Sequence, residues 1–210
     1  MPRVIDLTEY DTGWRVTLNR PDKANSLTGT MLARLAEVFE EAEAAQVPAL
    51  ILTGTGRVFS AGADLDEARA GLAVDPVWER VSGALAAYRG LSVAALNGTL
   101  AGGAFGMALA CDLRLAVPEA KFFYPVMKLG FLPQPSDPRR LVALVGPARA
   151  KLILMGGVKI SAQEALGFGL IDRLAAPEDL LAEADTLCAD AANATTQHRT
   201  AIKAMCGAPT

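Results

Sequence analysis

Apolar positions along this chain fall into two alternating rhythms. The short runs 4–7, 14–18, 49–53, 92–96 and 113–117 are strand-like, while the run 28–46 carries Leu32, Leu35, Phe39 and Ala42 at helical spacing. Glu37, Glu40, Glu41 and Glu43 lie mostly off that stripe, as on a helix with one face on a core. Tyr10-Asp11-Thr12-Gly13 joins the first two runs and predicts a hairpin. Pro48 stops the long helix, and Gly54-Thr55-Gly56 ends the strand that follows. The pattern then returns, with a helix over 103–110 between the strands 92–96 and 113–117, and a short strand over 121–123. Ser161-x-x-Glu164 is a capping box opening a helix that Gly169 ends. The run 170–174 is strand-like and 178–192 helical. No long linker, charge block or low-complexity stretch interrupts the chain, so the pattern predicts an α/β fold of repeated β-β-α units. Its core spans residues 1–193, with a short helical tail over 194–210.

Composition narrows this picture only slightly. At 210 residues and 51% hydrophobic content, largely Ala, Leu and Val, the chain fits one domain with close helix–sheet packing. A net charge of −3 gives no reason to expect nucleic acid or an anionic membrane surface as a partner. No apolar stretch approaches membrane-spanning length, and Met1-Pro2-Arg3 runs straight into a strand-like segment, so a cytoplasmic protein without a leader is expected. Cys111, Cys188 and Cys206 lack metal or CxxC spacing and are expected to be buried small hydrophobes in a reducing compartment. No metal site is expected. The glycines from Gly98 to Gly106 match neither a Walker loop nor a GxGxxG fingerprint.

Candidate chemistry lies in two segments, Phe59-Ser60-Ala61-Gly62-Ala63-Asp64-Leu65 and Asn97-Gly98-Thr99-Leu100-Ala101-Gly102-Gly103. Each follows an apolar run and brings small residues to a helix start, where unpaired backbone N–H groups point outward. Facing one another, they would form a two-donor oxyanion hole. The plainer alternative is a pair of tight helix starts.

These segments do not stand alone. Together with Leu18-Asn19-Arg20-Pro21-Asp22-Lys23-Ala24-Asn25-Ser26-Leu27, Leu52-Thr53-Gly54, Ala110-Cys111-Asp112-Leu113-Arg114, Lys128-Leu129-Gly130, Gly146-Pro147-Ala148-Arg149-Ala150 and Ser161-Ala162-Gln163-Glu164-Ala165, the chain resembles the crotonase (enoyl-CoA hydratase/isomerase) family over nearly its whole length. The resemblance implies a ClpP/crotonase spiral of β-β-α turns that binds acyl-coenzyme A thioesters. The N–H groups of Ala63 and Gly103 would hold the thioester oxygen as it becomes an enolate. It also implies that adenine and pantetheine lie against Ala61, Asp64 and Leu65 and beside Lys23 and Ala24. Lys23 meets a phosphate or is an ordinary solvated turn lysine. Asp64 reads first as the cap of the following helix, and Asp112 as structural. No separate cofactor is implied, coenzyme A being part of the substrate, and a homo-oligomer (trimer or hexamer) is.

The chain also departs from the family pattern. Hydratases of this family use two glutamates, and at the matching positions this chain has Gly106 and Val126, neither of which can transfer a proton. Tyr124 and Asp137 are candidate replacements. The alternatives are that Tyr124 is a core aromatic beside Phe122 and Phe123, and that Asp137 is the N-cap of a helix beginning at Pro138. Asp66, Glu67 and Glu79 are weaker candidates. His198, the single histidine, reads as a solvated helix residue, which leaves no Ser/His/Asp triad. Family members continue past the segment matching 200–203 with helices that cover the acyl pocket; here an open pocket, or cover from a neighbouring subunit, is expected. Two functions stay open: an enzyme with isomerase, decarboxylase or hydratase chemistry through an enolate, and a non-catalytic acyl-CoA-binding homologue.

Overall fold

The structure, a computed structural model, describes residues 3–207. The expected start at Met1-Pro2 and the last three residues of the tail therefore lie outside the described residues. Strands β1 (Ile5–Tyr10) and β2 (Gly13–Leu18) form the expected hairpin, with Tyr10 opposite Gly13. Helix α1 (Gly29–Ala44) is capped by the Thr28 hydroxyl, which accepts from the Met31 N–H at 3.2 Å, and buries Leu32, Leu35, Phe39 and Ala42 as the spacing predicts.

The repeats follow in order. The first holds β3 (Ala49–Gly54), β4 (Val58–Ser60), α2 (Leu65–Arg69) and α3 (Val77–Ala87). The second holds β5 (Leu91–Leu96), β6 (Thr99–Ala101) and α4 (Phe105–Ala110), the last entered through a 3-10 turn at Gly102–Ala104. The third holds β7 (Leu113–Ala116), β8 (Lys121–Phe123), α5 (Val126–Leu129) and α6 (Asp137–Leu154), which kinks at Gly146-Pro147. Then come β9 (Ile160–Ser161), α7 (Ala162–Phe168), β10 (Arg173–Leu174), α8 (Leu180–Asn193) and α9 (Thr196–Cys206).

Each repeat gives its longer strand to one sheet and its shorter strand to another. The large sheet has the order β1-β2-β3-β5-β7-β10, parallel beyond the hairpin, and the small one the order β4-β6-β8-β9. Because successive repeats lie side by side in both sheets, the chain advances as a spiral. Phe39, Phe59, Phe105 and Phe122 are fully buried in the core. The strand ends and helix starts of the three repeats fall along one side, and the cleft described below opens there.

Several expectations need correction. The run 170–174 is strand only at Arg173–Leu174; the N–H groups of Leu170 and Ile171 turn back to the Ala165 carbonyl, so their buried side chains fill the core from a loop. Cys111 and Cys188 are buried, but Cys206 is exposed on α9. The capping box of α7 forms in full, and Gly169 ends that helix at a φ of 81°. No helix among the described residues is long and apolar enough to cross a membrane.

Candidate active site

The loop after β4 is held by hydrogen bonds to the segment 24–27. The Ala61 N–H donates to the Ala24 carbonyl (3.0 Å), the Gly62 N–H to the Ser60 hydroxyl (3.2 Å) and the Asp64 N–H to the Leu27 carbonyl (2.8 Å). Among the described residues the Ala63 N–H alone in this loop has no protein acceptor, and Ala63 lines a cleft. Asn25 locks the supporting segment. Its fully buried side chain accepts from the Arg20 N–H and donates to the Thr55 and Val58 carbonyls, and its backbone sits at a φ of 50°. Asp64 caps α2 as expected, accepting from the Asp66 N–H at 3.2 Å. It also pairs with Arg20 at 2.8 Å, which with these backbone bonds holds its carboxyl below the usual range.

The second loop meets the first backbone to backbone. A Cβ on Gly62, where φ is +92°, would lie 2.9 Å from the Ala101 carbonyl oxygen and 3.4 Å from the Gly103 nitrogen. Only glycine permits that approach. Gly103 stands in the first turn leading into α4, where an N–H has no intrahelical acceptor, and no side chain caps that turn. Behind it lies Trp78, whose ring would be 3.1 Å from a Cβ at position 103 and whose indole N–H donates to the Leu72 carbonyl.

Both loops open on a cleft of about 370 Å³ whose wall also includes Trp78, Tyr124 and Val126. Leu65 and Leu132, 65% and 85% exposed, stand at its apolar rim. Among the described residues the one cationic side chain on the wall is Arg69, exposed and 3.2 Å from Asp66, which sequence reasoning did not single out. Lys23 is exposed in a 3-10 turn and is not on this wall, although its neighbour Ala24 touches the loop through the Ala61 N–H. Because that N–H is taken, Ala61 can offer a ligand only its carbonyl. Of the expected site residues, Ala61, Ala63, Leu65, Gly103 and Tyr124 are thus brought to one cleft.

Tyr124 and Asp137 form a buried pair. The Tyr124 ring stacks on Phe105 at 5.3 Å; its hydroxyl donates to Asp137 Oδ2 at 2.9 Å and accepts from the Gln134 N–H at 3.4 Å. Asp137 is not the N-cap, as the alternative reading had it: Ser136 occupies that position, and the Asp137 carboxylate turns inward, 1% exposed. Its Oδ1 has no protein partner among the described residues and lies 3.0 Å from where a Cβ on Gly106 would be. Burial pushes the Asp137 carboxyl up to about 7, against the opposing pulls of Tyr124 and Arg140. Burial, followed by the charge of Asp137, pushes the Tyr124 hydroxyl far above its ordinary range.

The weaker candidates have other partners. Glu79 accepts from the Ser136 N–H and hydroxyl, Glu67 accepts from the Gly29 N–H at 2.7 Å, and Asp66 is exposed beside Arg69. Asp112 receives Ser92 and Lys203, a structural cluster that ties α9 to β5, and His198 is exposed.

Comparison with known proteins supplies the remaining context. The sequence profile of the enoyl-CoA hydratase/isomerase family matches residues 10–210. The chain belongs to the enoyl-CoA hydratase/isomerase family. The Bacillus subtilis protein YngF, which carries an enoyl-CoA hydratase/isomerase name, is 40% identical over 182 residues, covering 83% of this chain and 70% of that one. Among solved structures, enoyl-CoA hydratase EchA8_6 from Mycobacterium marinum superposes with a TM-score of 0.87 at 30% identity, over 96% of this chain and 97% of that one. The enoyl-CoA hydratase/isomerase from Pseudoalteromonas atlantica gives 0.89 at 28% identity, over 97% and 82%. The spiral of β-β-α units is thus the crotonase fold of this enoyl-CoA hydratase/isomerase family. At the two positions where the resemblance places glutamates, Val126 presents an apolar side chain to the cleft, and the volume above Gly106 is taken by the Asp137 carboxylate.

Proposed function

We propose that this cleft binds the acyl end of a coenzyme A thioester and stabilises its enolate, the thioester oxygen being received by the Ala63 and Gly103 N–H groups. The observation that carries this reading is the loop 61–64, in which three amides are bonded within the protein and the fourth, Ala63, is left for a ligand beside Gly103. An enolate oxygen gains charge in the transition state, so donors already in place lower the barrier without reorganising. The adenosine end lies outside the cleft past the rim at Leu65, with Lys23, Ala24, Ala61 and Asp64 on the supporting side. The reaction is enolate chemistry of the isomerase or decarboxylase type in fatty acyl metabolism, and coenzyme A enters as part of the substrate. The family resemblance further supports a homo-oligomer, trimer or hexamer.

Hydration is the poorer fit. It needs carboxylates flanking a water, and among the described residues the cleft wall presents none. Calorimetry with acetyl-CoA and crotonyl-CoA tests the binding; no heat at millimolar ligand would sink it. Loss of the enoyl absorbance of crotonyl-CoA tests the chemistry. Turnover should fall short of an ordinary hydratase by about 10²-fold or more, the usual worth of general acid–base help. Tight binding with no turnover on enoyl-, malonyl- or hydroxyacyl-CoA would favour the non-catalytic homologue, the reading that the loss of carboxylates at Gly106 and Val126 supports.

A further inference from the structure

We propose that Tyr124 is the proton-transferring residue of this cleft and that Asp137, buried behind it, positions and exchanges that proton; this rests on the thioester reading above. Of the described side chains on the cleft wall only Arg69 and Tyr124 are ionisable, and Arg69 stands exposed, with Asp66 as its partner. Tyr124 is therefore the one ionisable side chain inside. Its proton is directed at Asp137 Oδ2 and the Gln134 N–H occupies one side of its oxygen, leaving a lone pair for an acceptor role.

Asp137 is placed as a proton partner more than as a brace. A buried structural carboxylate is ordinarily bonded at both oxygens, yet Oδ1 has no protein partner and no cation pairs with this group among the described residues. The carboxylate instead fills the space that the glycine at 106 leaves open, so a carboxyl group reaches the neighbourhood of the cleft from α6 while α4 provides none. It lies behind the wall and reaches the cleft only through the tyrosine oxygen. Charged groups acting on it are Glu79 on α3, which raises its proton affinity, and Arg140 on its own helix, which lowers it; Tyr124 meets it from the segment after β8. With its carboxyl near 7, both protonation states are populated at neutral pH.

The step balances within the pair. A C–H bond next to the thioester carbonyl breaks, its proton passes to the Tyr124 oxygen, and the tyrosine's own proton moves to Asp137 Oδ2. The C–H electron pair moves into the enolate, whose oxygen is held by Ala63 and Gly103. Running the same transfers backward protonates the enolate carbon and returns the pair to its starting state.

The test is hydrogen–deuterium exchange at the α-carbon of propionyl-CoA in heavy water, followed by proton NMR, with calorimetry on the same samples. The wild-type protein should exchange the α-protons faster than buffer alone, and the rate should rise as pH passes through about 7, where Asp137 ionises. Tyr124→Phe should lower the rate by about 10²-fold or more. Asp137→Asn should lower it and flatten the pH profile, which a bracing role alone would not do, while calorimetry shows that both variants still bind the thioester. If Asp137→Asn does not fold, Tyr124→Phe decides alone. Binding without exchange in the wild type, or wild-type exchange in Tyr124→Phe, overturns the proposal. Absence of binding overturns the thioester reading and this one with it.

Discussion

The two walls of the cleft are made from different parts of the chain's chemistry. Around residues 61–65 and 102–103 the protein presents main chain, with side chains removed so that two loops can touch. Around Tyr124 it presents a side-chain hydroxyl backed by a buried carboxylate and an aromatic ring. The first wall suits a ligand atom that gains charge, because its donors are fixed by bonds made elsewhere in the loop. The second suits a group that gains or loses a proton, because its carboxyl is poised near neutrality. Binding and proton transfer should therefore be separable by mutation, and each of the following changes breaks one wall while leaving the other intact.

The largest effect is expected from Gly62→Val. A Cβ there would lie 2.9 Å from the Ala101 carbonyl oxygen in a conformation that branched residues avoid, so both loops must part. Stability should fall by on the order of 3 kcal/mol in denaturant titrations, with loss of acyl-CoA binding. Gly103→Ala comes next. Its methyl group would press on the Trp78 ring at 3.1 Å, so the ring or the turn must give by a few tenths of an ångström, and a valine there would disturb the packing of α3 as well as the donor. Turnover in Gly103→Ala should drop by about 10²-fold, as for a displaced oxyanion donor, with a smaller change in affinity.

Asp137→Asn is the corresponding change on the other wall, and its effect depends on pH. The folded carboxyl sits at about 7, above its value in the unfolded chain. The folded state therefore binds the proton more tightly, and this stabilisation is complete below the unfolded pKa and lost as pH rises through 7. Asp137→Asn should remove that dependence. Chemical denaturation at pH 5 and pH 8 should show the variant gaining on the wild type at the higher pH, by on the order of 2 kcal/mol. An unchanged pH profile would mean that the carboxylate titrates normally.

What could be read from the chain follows the same division. Helix α1, the hairpin and the capping box are local: periodicity, a turn and a cap each lie within a few residues. The small residues at 61–63 and 102–103 are equally local, which is why the backbone wall was legible. That Ala63 is the amide left over was legible only through the family resemblance, since it depends on Ala24 and Leu27 arriving as acceptors for its neighbours. Strands β4 and β6, three residues each, are too short to show alternation. Asp137 before Pro138 looks locally like a cap, but Ser136 takes that place once Glu79 of α3 binds it. The carboxylate is then free to turn toward Tyr124 and the gap over Gly106, a meeting of three elements that no local pattern encodes.

The central claim is that two backbone amides receive the thioester oxygen, and it can be read from the carbonyl itself. The measurement is the difference infrared spectrum of crotonyl-CoA, with and without a ¹³C label at the thioester carbonyl, bound to the wild-type protein and to Gly103→Ala. Hydrogen bonds from Ala63 and Gly103 should polarise the carbonyl and move its stretch to lower wavenumber in the wild type, with most of that shift lost in the variant. A bound thioester whose carbonyl absorbs as it does in water, or one whose shift survives in Gly103→Ala, would contradict the account.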